Sequence, residues 1–171
     1  MIKESISRVL SEQVNEEYYS AYLYLAMSAY ADRSGFKGAA HWLFVQAREE
    51  TAHANHLYQY ILERGAAPSL TDIKASQLSF ESITAVFEKV LAHERHVSEL
   101  LNRIAALALD ENDHAAYTFI QWYVNEQVEE EANADEILTQ AKAMRNDAAL
   151  LYQLDAQLAK RKFIDPFPEK D

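Results

Sequence analysis

The chain has 171 residues, with 16 basic against 27 acidic side chains and a formal net charge of −11, which disfavours nucleic acid and membrane surfaces as partners and favours divalent cations. It contains no cysteine, so disulfides, Cys-bound zinc and Cys-ligated iron–sulfur clusters are excluded. Hydrophobic residues make up 49% and Gly and Pro number three each, so the expectation is a single domain, residues 1–171, of long uninterrupted helices.

The polar start Met1-Ile2-Lys3-Glu4-Ser5 enters an amphipathic pattern directly, and no apolar run approaches ~18 residues. A soluble cytoplasmic protein is expected. The first helix is predicted over about 3–33, with the stripe Ile6, Leu10, Gln13, Glu17, Ser20, Tyr24 and Met27, and Gly35 closing it. The second is predicted over 37–64, with Leu43, Gln46, Glu50, His53, Leu57 and Ile61 in three- and four-residue steps. Its Glu50 and His53 are one turn apart on one face and can point at one atom. Residues 65–80 show no sustained period and read as a long connection.

A third helix is predicted over 81–109, with Ile83, Phe87, Val90, Glu94, Val97, Leu101, Ile104 and Ala108 on its stripe. The acidic turn 110–113 breaks it and offers an N-cap to a fourth, 114–143, whose stripe is Ala116, Phe119, Tyr123, Glu126, Glu130, Ile137 and Met144. A short fifth helix, 147–161, groups Leu150, Leu151, Leu154 and Leu158 before the tail Asp165-Pro166-Phe167-Pro168. The fold class is therefore all-α, an antiparallel four-helix bundle with one long crossover.

Heights in such a bundle follow from counting. Glu17 lies 18 residues before the first loop centre, near 35, with Glu50 and His53 at 15 and 18 after it. Glu94 and Glu130 lie 18 before and 18 after the second, near 112. All are about 27 Å from their loops, near mid-bundle. One Glu on an apolar stripe is ordinarily a boundary residue whose stem snorkels outward. Four carboxylates at one depth would instead repel one another and mostly protonate. Two divalent cations relieve this, one with Glu17, Glu50 and His53, the other with Glu94 and Glu130, bridged by Glu50. Oxygen-rich ligation with one imidazole suits iron, manganese or zinc. Tyr24, one heptad after Glu17, reads either as a redox participant or as a packed tyrosine with its hydroxyl bonded.

At Asn15-Glu16-Glu17-Tyr18-Tyr19-Ser20, Glu49-Glu50-Thr51-Ala52-His53 and Trp122-Tyr123-Val124-Asn125-Glu126-Gln127 the sequence resembles the prokaryotic non-haem ferritins, across essentially its entire length. The resemblance implies a ferritin-like bundle with a di-iron ferroxidase centre. Iron site one would be Glu17, Glu50 and His53; site two Glu50, Glu94 and Glu130. Gln127 would be a nearby polar support, and Tyr24 a hydrogen-bond partner or electron donor. A third iron site carries over onto Glu49, Glu126 and Glu129, with Glu130 shared; the run 129–131 also reads as a solvated helix face. The resemblance further implies Fe(II) and O2 or H2O2 as substrates, storage of Fe(III) as a mineral, and a shell of twenty-four like chains with the fifth helix near the four-fold axes.

Haem is not expected, because the haem-binding bacterioferritins carry a haem-ligand methionine where this chain has Thr51 and a second Glu-x-x-His where it has Gln127-x-x-Glu130. Animal ferritins carry acidic residues in the three-fold pore where this chain has Tyr117 and Ile120, so no iron entry route is assigned. Two other classes are compatible with a helical bundle of this kind: a storage or structural shell whose centre turns over slowly, and a di-metal bundle oxidase without an iron store.

Overall fold

The computed structural model describes residues 1–74 and 79–168. Among these are five helices and no strand: α1 Glu4–Arg33, α2 Lys37–Glu63, α3 Ile83–Asp110, α4 His114–Met144 and α5 Ala148–Leu158. The four long helices lie within two residues of the expected bounds at either end. The fifth stops at Leu158 rather than 161, where Ala159 and Lys160 donate to the Asp155 and Gln157 carbonyls. No described helix is long and apolar enough to cross a membrane.

The chain turns where sequence provides a left-handed residue. Gly35 (φ 88°), Gly65 (φ 79°) and Asn112 (φ 56°) end α1, α2 and α3. At each, the following N–H reaches back to a carbonyl of the last turn: Phe36 to Ala31, Ala66 to Ile61 and Asp113 to Ala108. Ser82, Asp113 and Asp147 cap α3, α4 and α5 through their side chains. The α2 N-terminus has no such cap of its own. Asp155 of α5 supplies it, accepting from Gly38 N at 3.0 Å and Ala39 N at 2.7 Å. Gly38 permits this approach, because a Cβ there would lie 1.7 Å from the Asp155 carbonyl oxygen.

Helix α1 pairs with α2 and α3 with α4. The start of the crossover runs along α1, tied by Asn15 to the Ser69 carbonyl and the Thr71 N–H; its residues 75–78 lie outside the described set. The apolar interior is in two parts. One gathers Leu23, Met27, Leu43, Phe87 and Leu138, and the other Ile6, Leu10, Leu57, Leu101 and Ile120. Between them lie buried polar residues from all four long helices, including Gln13, Glu17, Gln46, Glu50, His53, Glu94, Gln127 and Glu130.

Several expectations are corrected by packing. The buried stripe of α4 is Ala116, Ile120, Tyr123, Gln127, Glu130, Ala134 and Ile137, while Phe119, Glu126 and Met144 are only partly buried. Leu150 is exposed, so the apolar face of α5 is Leu154 and Leu158 with Leu151 at its edge. Trp42 and Tyr30 both join the first apolar part, Trp42 edge-on to Phe87.

Candidate metal centre

The polar belt is built from pairs one helical turn apart. In α1, Gln13 Nε2 donates to Glu17 Oε1 at 2.8 Å; in α2, Gln46 Nε2 donates to Glu50 Oε1 at 3.1 Å. Each amide engages one oxygen of the carboxylate four residues on. His53 Nδ1 lies 3.3 Å from Glu50 Oε2. Its ring is enclosed edge-on by Trp122, Tyr123 and Phe167. Tyr123 donates from its hydroxyl to the His53 carbonyl at 3.3 Å.

Glu17, Glu50 and His53 each bring a ligand atom within 4.8 Å of the others, the one such buried group found among the described residues. Glu17 Oε2 is buried and has no hydrogen-bond partner. Such an oxygen is costly unless something satisfies it. A cation held by the three residues would do so, and two carboxylates with an imidazole are a donor set that suits iron. The residues fit the group.

Glu94 and Glu130 face the same belt from α3 and α4 and are buried, but they do not join Glu17, Glu50 and His53 in one set at ligand distance. Glu94 is otherwise engaged: Tyr24 donates to its Oε1, and Gln127 Nε2 donates to its Oε2 at 3.0 Å and to its backbone carbonyl at 3.1 Å. The Tyr24 hydroxyl is thus bonded to an expected ligand carboxylate, and Gln127 supports that carboxylate.

Electrostatics follow from burying so many acids together. Burial, reinforced by Glu50, raises Glu17 to about 8. Burial and the charges of Glu50 and Glu130 raise Glu94 well above the carboxylate range. Burial and Glu50 raise Glu130 to about 7, with Gln46 and Arg161 opposing. Burial would also raise Glu50, but the His53 hydrogen bond and charge outweigh it and hold Glu50 low. Burial would lower His53; its bond to Glu50 and the charges of Glu50 and Glu17 prevail and raise it to about 9. The centre therefore holds a Glu50–His53 ion pair beside three carboxyls, Glu17, Glu94 and Glu130, that burial and mutual repulsion make harder to ionise.

The sequence matches a family model described as "Ferritin-like domain" over residues 8–144. The chain belongs to the ferritins. A bacterial non-heme ferritin of Staphylococcus epidermidis is 36% identical over 163 residues, covering 95% of this chain and 98% of its own. A bacterial non-heme ferritin of Bacteroides fragilis is 39% identical over 161 residues, covering 94% and 100%. An engineered closed form of the Archaeoglobus fulgidus ferritin superposes with a TM-score of 0.94 at 40% identity, covering 96% of this chain and 100% of that one.

In this ferritin the residues expected at a third site stand apart from the inner group. Glu49 is partly buried and ion-paired with Arg161, Glu126 is partly buried, and Glu129 is exposed. Burial raises Glu49, against the pull of Arg161, and burial also raises Glu126. At the position of the haem-ligand methionine, Thr51 is exposed, its hydroxyl donating to the Ala47 carbonyl. Of the two positions weighed for a pore, Ile120 is 0% exposed within its own bundle and packs in the core, so it cannot line one from there. Tyr117 packs partly buried beside the same apolar part.

Sequence reasoning missed four contributors. Gln13 and Gln46 were on the stripes, and their common spacing to Glu17 and Glu50 was the available signal. His93 adjoins Glu94 and is buried, 2.7 Å from Ser20 Oγ, and burial drives it down to about 4, so it is neutral. Arg161 gave no signal, because nothing local shows that the tail returns to the centre.

Proposed function

We propose that this ferritin chain stores iron and oxidises it on the way in, at an intrasubunit centre that takes two Fe(II) ions as substrate. The observation that carries this reading is the buried group Glu17, Glu50 and His53 with its unpartnered Glu17 oxygen at mid-bundle. Glu17, Glu50 and His53 hold the first Fe(II); Glu50, Glu94 and Glu130 hold the second, with Glu50 between them. Gln13, Gln46 and Gln127 orient those carboxylates, and Tyr24 holds Glu94. The names of the relatives support non-haem iron as the cargo.

Each Fe(II) gives up one electron. Two electrons and two protons convert O2 to H2O2, or H2O2 to two waters. Hard anionic carboxylate oxygens favour the Fe(III) product over Fe(II). Fe(III) then passes to a mineral enclosed by like subunits in a twenty-four-chain cytoplasmic shell. Outer carboxylates Glu49, Glu126 and Glu129 take a third ion.

The test is iron retained in solution per chain after aerobic addition of excess Fe(II) at neutral pH. Retention of many times the two or three ions that bundle sites can hold is expected. Retention of about two, with the remainder precipitating, would mean a di-metal bundle without a store and would overturn the reading.

A further inference from the structure

After α5 the chain does not leave the bundle. It runs back along α2 as a strap. The Arg161 carbonyl oxygen meets His41 Nε2 at 2.8 Å, and the Arg161 guanidinium lies over Trp42, 4.4 Å from the ring centroid. Further on, Arg48 covers Phe163 at 3.8 Å, and Phe167 stacks on His56 with centroids 3.6 Å apart, 4.5 Å from Trp122. These contacts climb α2 from position 41 to 56, so the strap passes the level of Glu50 and His53. There Arg161 turns two nitrogens inward. Nη1 donates to Gln46 Oε1 at 2.5 Å, the same amide that donates to Glu50, and Nη2 is paired with Glu49. The guanidinium charge is felt at Glu130 as well.

A guanidinium paired with a carboxylate does part of the work of a metal ion there: it neutralises the charge and occupies one acceptor site of the paired oxygen. A divalent ion drawn to Glu49 and its neighbours would meet a positive charge already in place. We propose that Arg161 is a tethered cation at the outer carboxylates, and that a third metal ion enters beside Glu49 only by displacing it and lifting the strap. The proposal rests on the reading of the inner centre as the place where iron is oxidised. The inner two positions fill first because the Arg161 guanidinium bonds to Gln46 and Glu49 and to none of the inner ligands Glu17, Glu50, His53, Glu94 and Glu130 directly. Gln46 links the two levels: when Arg161 leaves, Gln46 Oε1 loses its donor while Nε2 still donates to Glu50.

The test uses the assembled, metal-free protein titrated anaerobically with Zn(II), which neither changes redox state nor quenches tryptophan, followed by calorimetry. The unaltered protein is expected to take two ions tightly and a third weakly. Arg161→Gln should take the third about 10- to 100-fold more tightly, the worth of one charge-assisted pair, with two tight ions still bound as a control on folding. Arg161→Lys, which keeps the charge, should retain weak third binding. In Trp122→Phe, where Trp42 alone reports, emission should shift with the third equivalent and not the first two; with Arg161→Gln added, the third should be silent. Equal third-ion affinity with and without Arg161, or a third ion that leaves Trp42 unmoved, overturns the proposal alone. Absence of any tight Zn(II) binding overturns the inner centre, and this proposal with it.

Discussion

Filling the centre with metal should expel a countable number of protons. Ligands must be deprotonated to bind. At pH 7, Glu17 at about 8 and His53 at about 9 each hold nearly a full proton and Glu130 at about 7 holds half, while burial and the charges of Glu50 and Glu130 raise Glu94 well above its ordinary value. Glu50, held low, contributes none. Uptake of two divalent ions at pH 7 should therefore release about two protons per chain or more. Charge balance gives the same picture: the four carboxylates either keep protons or face two divalent cations, and either state leaves the low-dielectric belt nearly neutral. The assay is anaerobic titration with Fe(II) or Zn(II), by pH-stat or by calorimetry in buffers of differing ionisation enthalpy. Release should fall at pH 9, where Glu17 and Glu130 are already ionised, and affinity should rise with pH between 6 and 9. Release of less than one proton at pH 7 would refute the reasoning, since the carboxyls would then be ionised without a cation.

Glu50→Ala should slow initial Fe(II) oxidation by at least about 100-fold, because it removes the bridge and the partner of His53 together; an unchanged rate would place oxidation elsewhere. His53→Ala should be milder and weaken one of the two ions, and equal loss of both in calorimetry would overturn the division into two positions. Gly38→Ala should push α5 off the α2 N-terminus, since its Cβ would meet the Asp155 carbonyl oxygen at 1.7 Å. The expected cost is about 1–3 kcal/mol, read as a lowered melting temperature of the metal-free protein; an unchanged melting temperature would mean that α5 docks independently of that contact.

Much of the bundle was legible because its signals are local. Helix period, Gly35, Gly65 and Asn112 act within a turn or two of their own positions, so the helix boundaries and loops could be read directly. Glu17, Glu50, His53, Glu94 and Glu130 could be singled out because acids on apolar stripes conflict with burial, and counting from the loops set them at one depth. On α4 the same reading slipped by one position, choosing Glu126 for the inner face where Gln127 lies. Adjacent helical residues differ by about 100°, and a stripe with mixed polar residues does not define its centre that finely.

What the sequence by itself determined was which side chains share a helix face and roughly how high each stands, since both depend on backbone geometry alone. Only the tertiary structure decided which face of α4 points inward, that Ile120 is core, and that Trp42 lies beneath Arg161. The protonation of the belt also belongs to the assembled bundle, because each shift arises from carboxyls on different helices buried within reach of one another. Arg161 shows the limit most clearly: 112 residues separate it from Glu49, and only the docking of α5 on Gly38 turns the following strap back to place that cation at the centre.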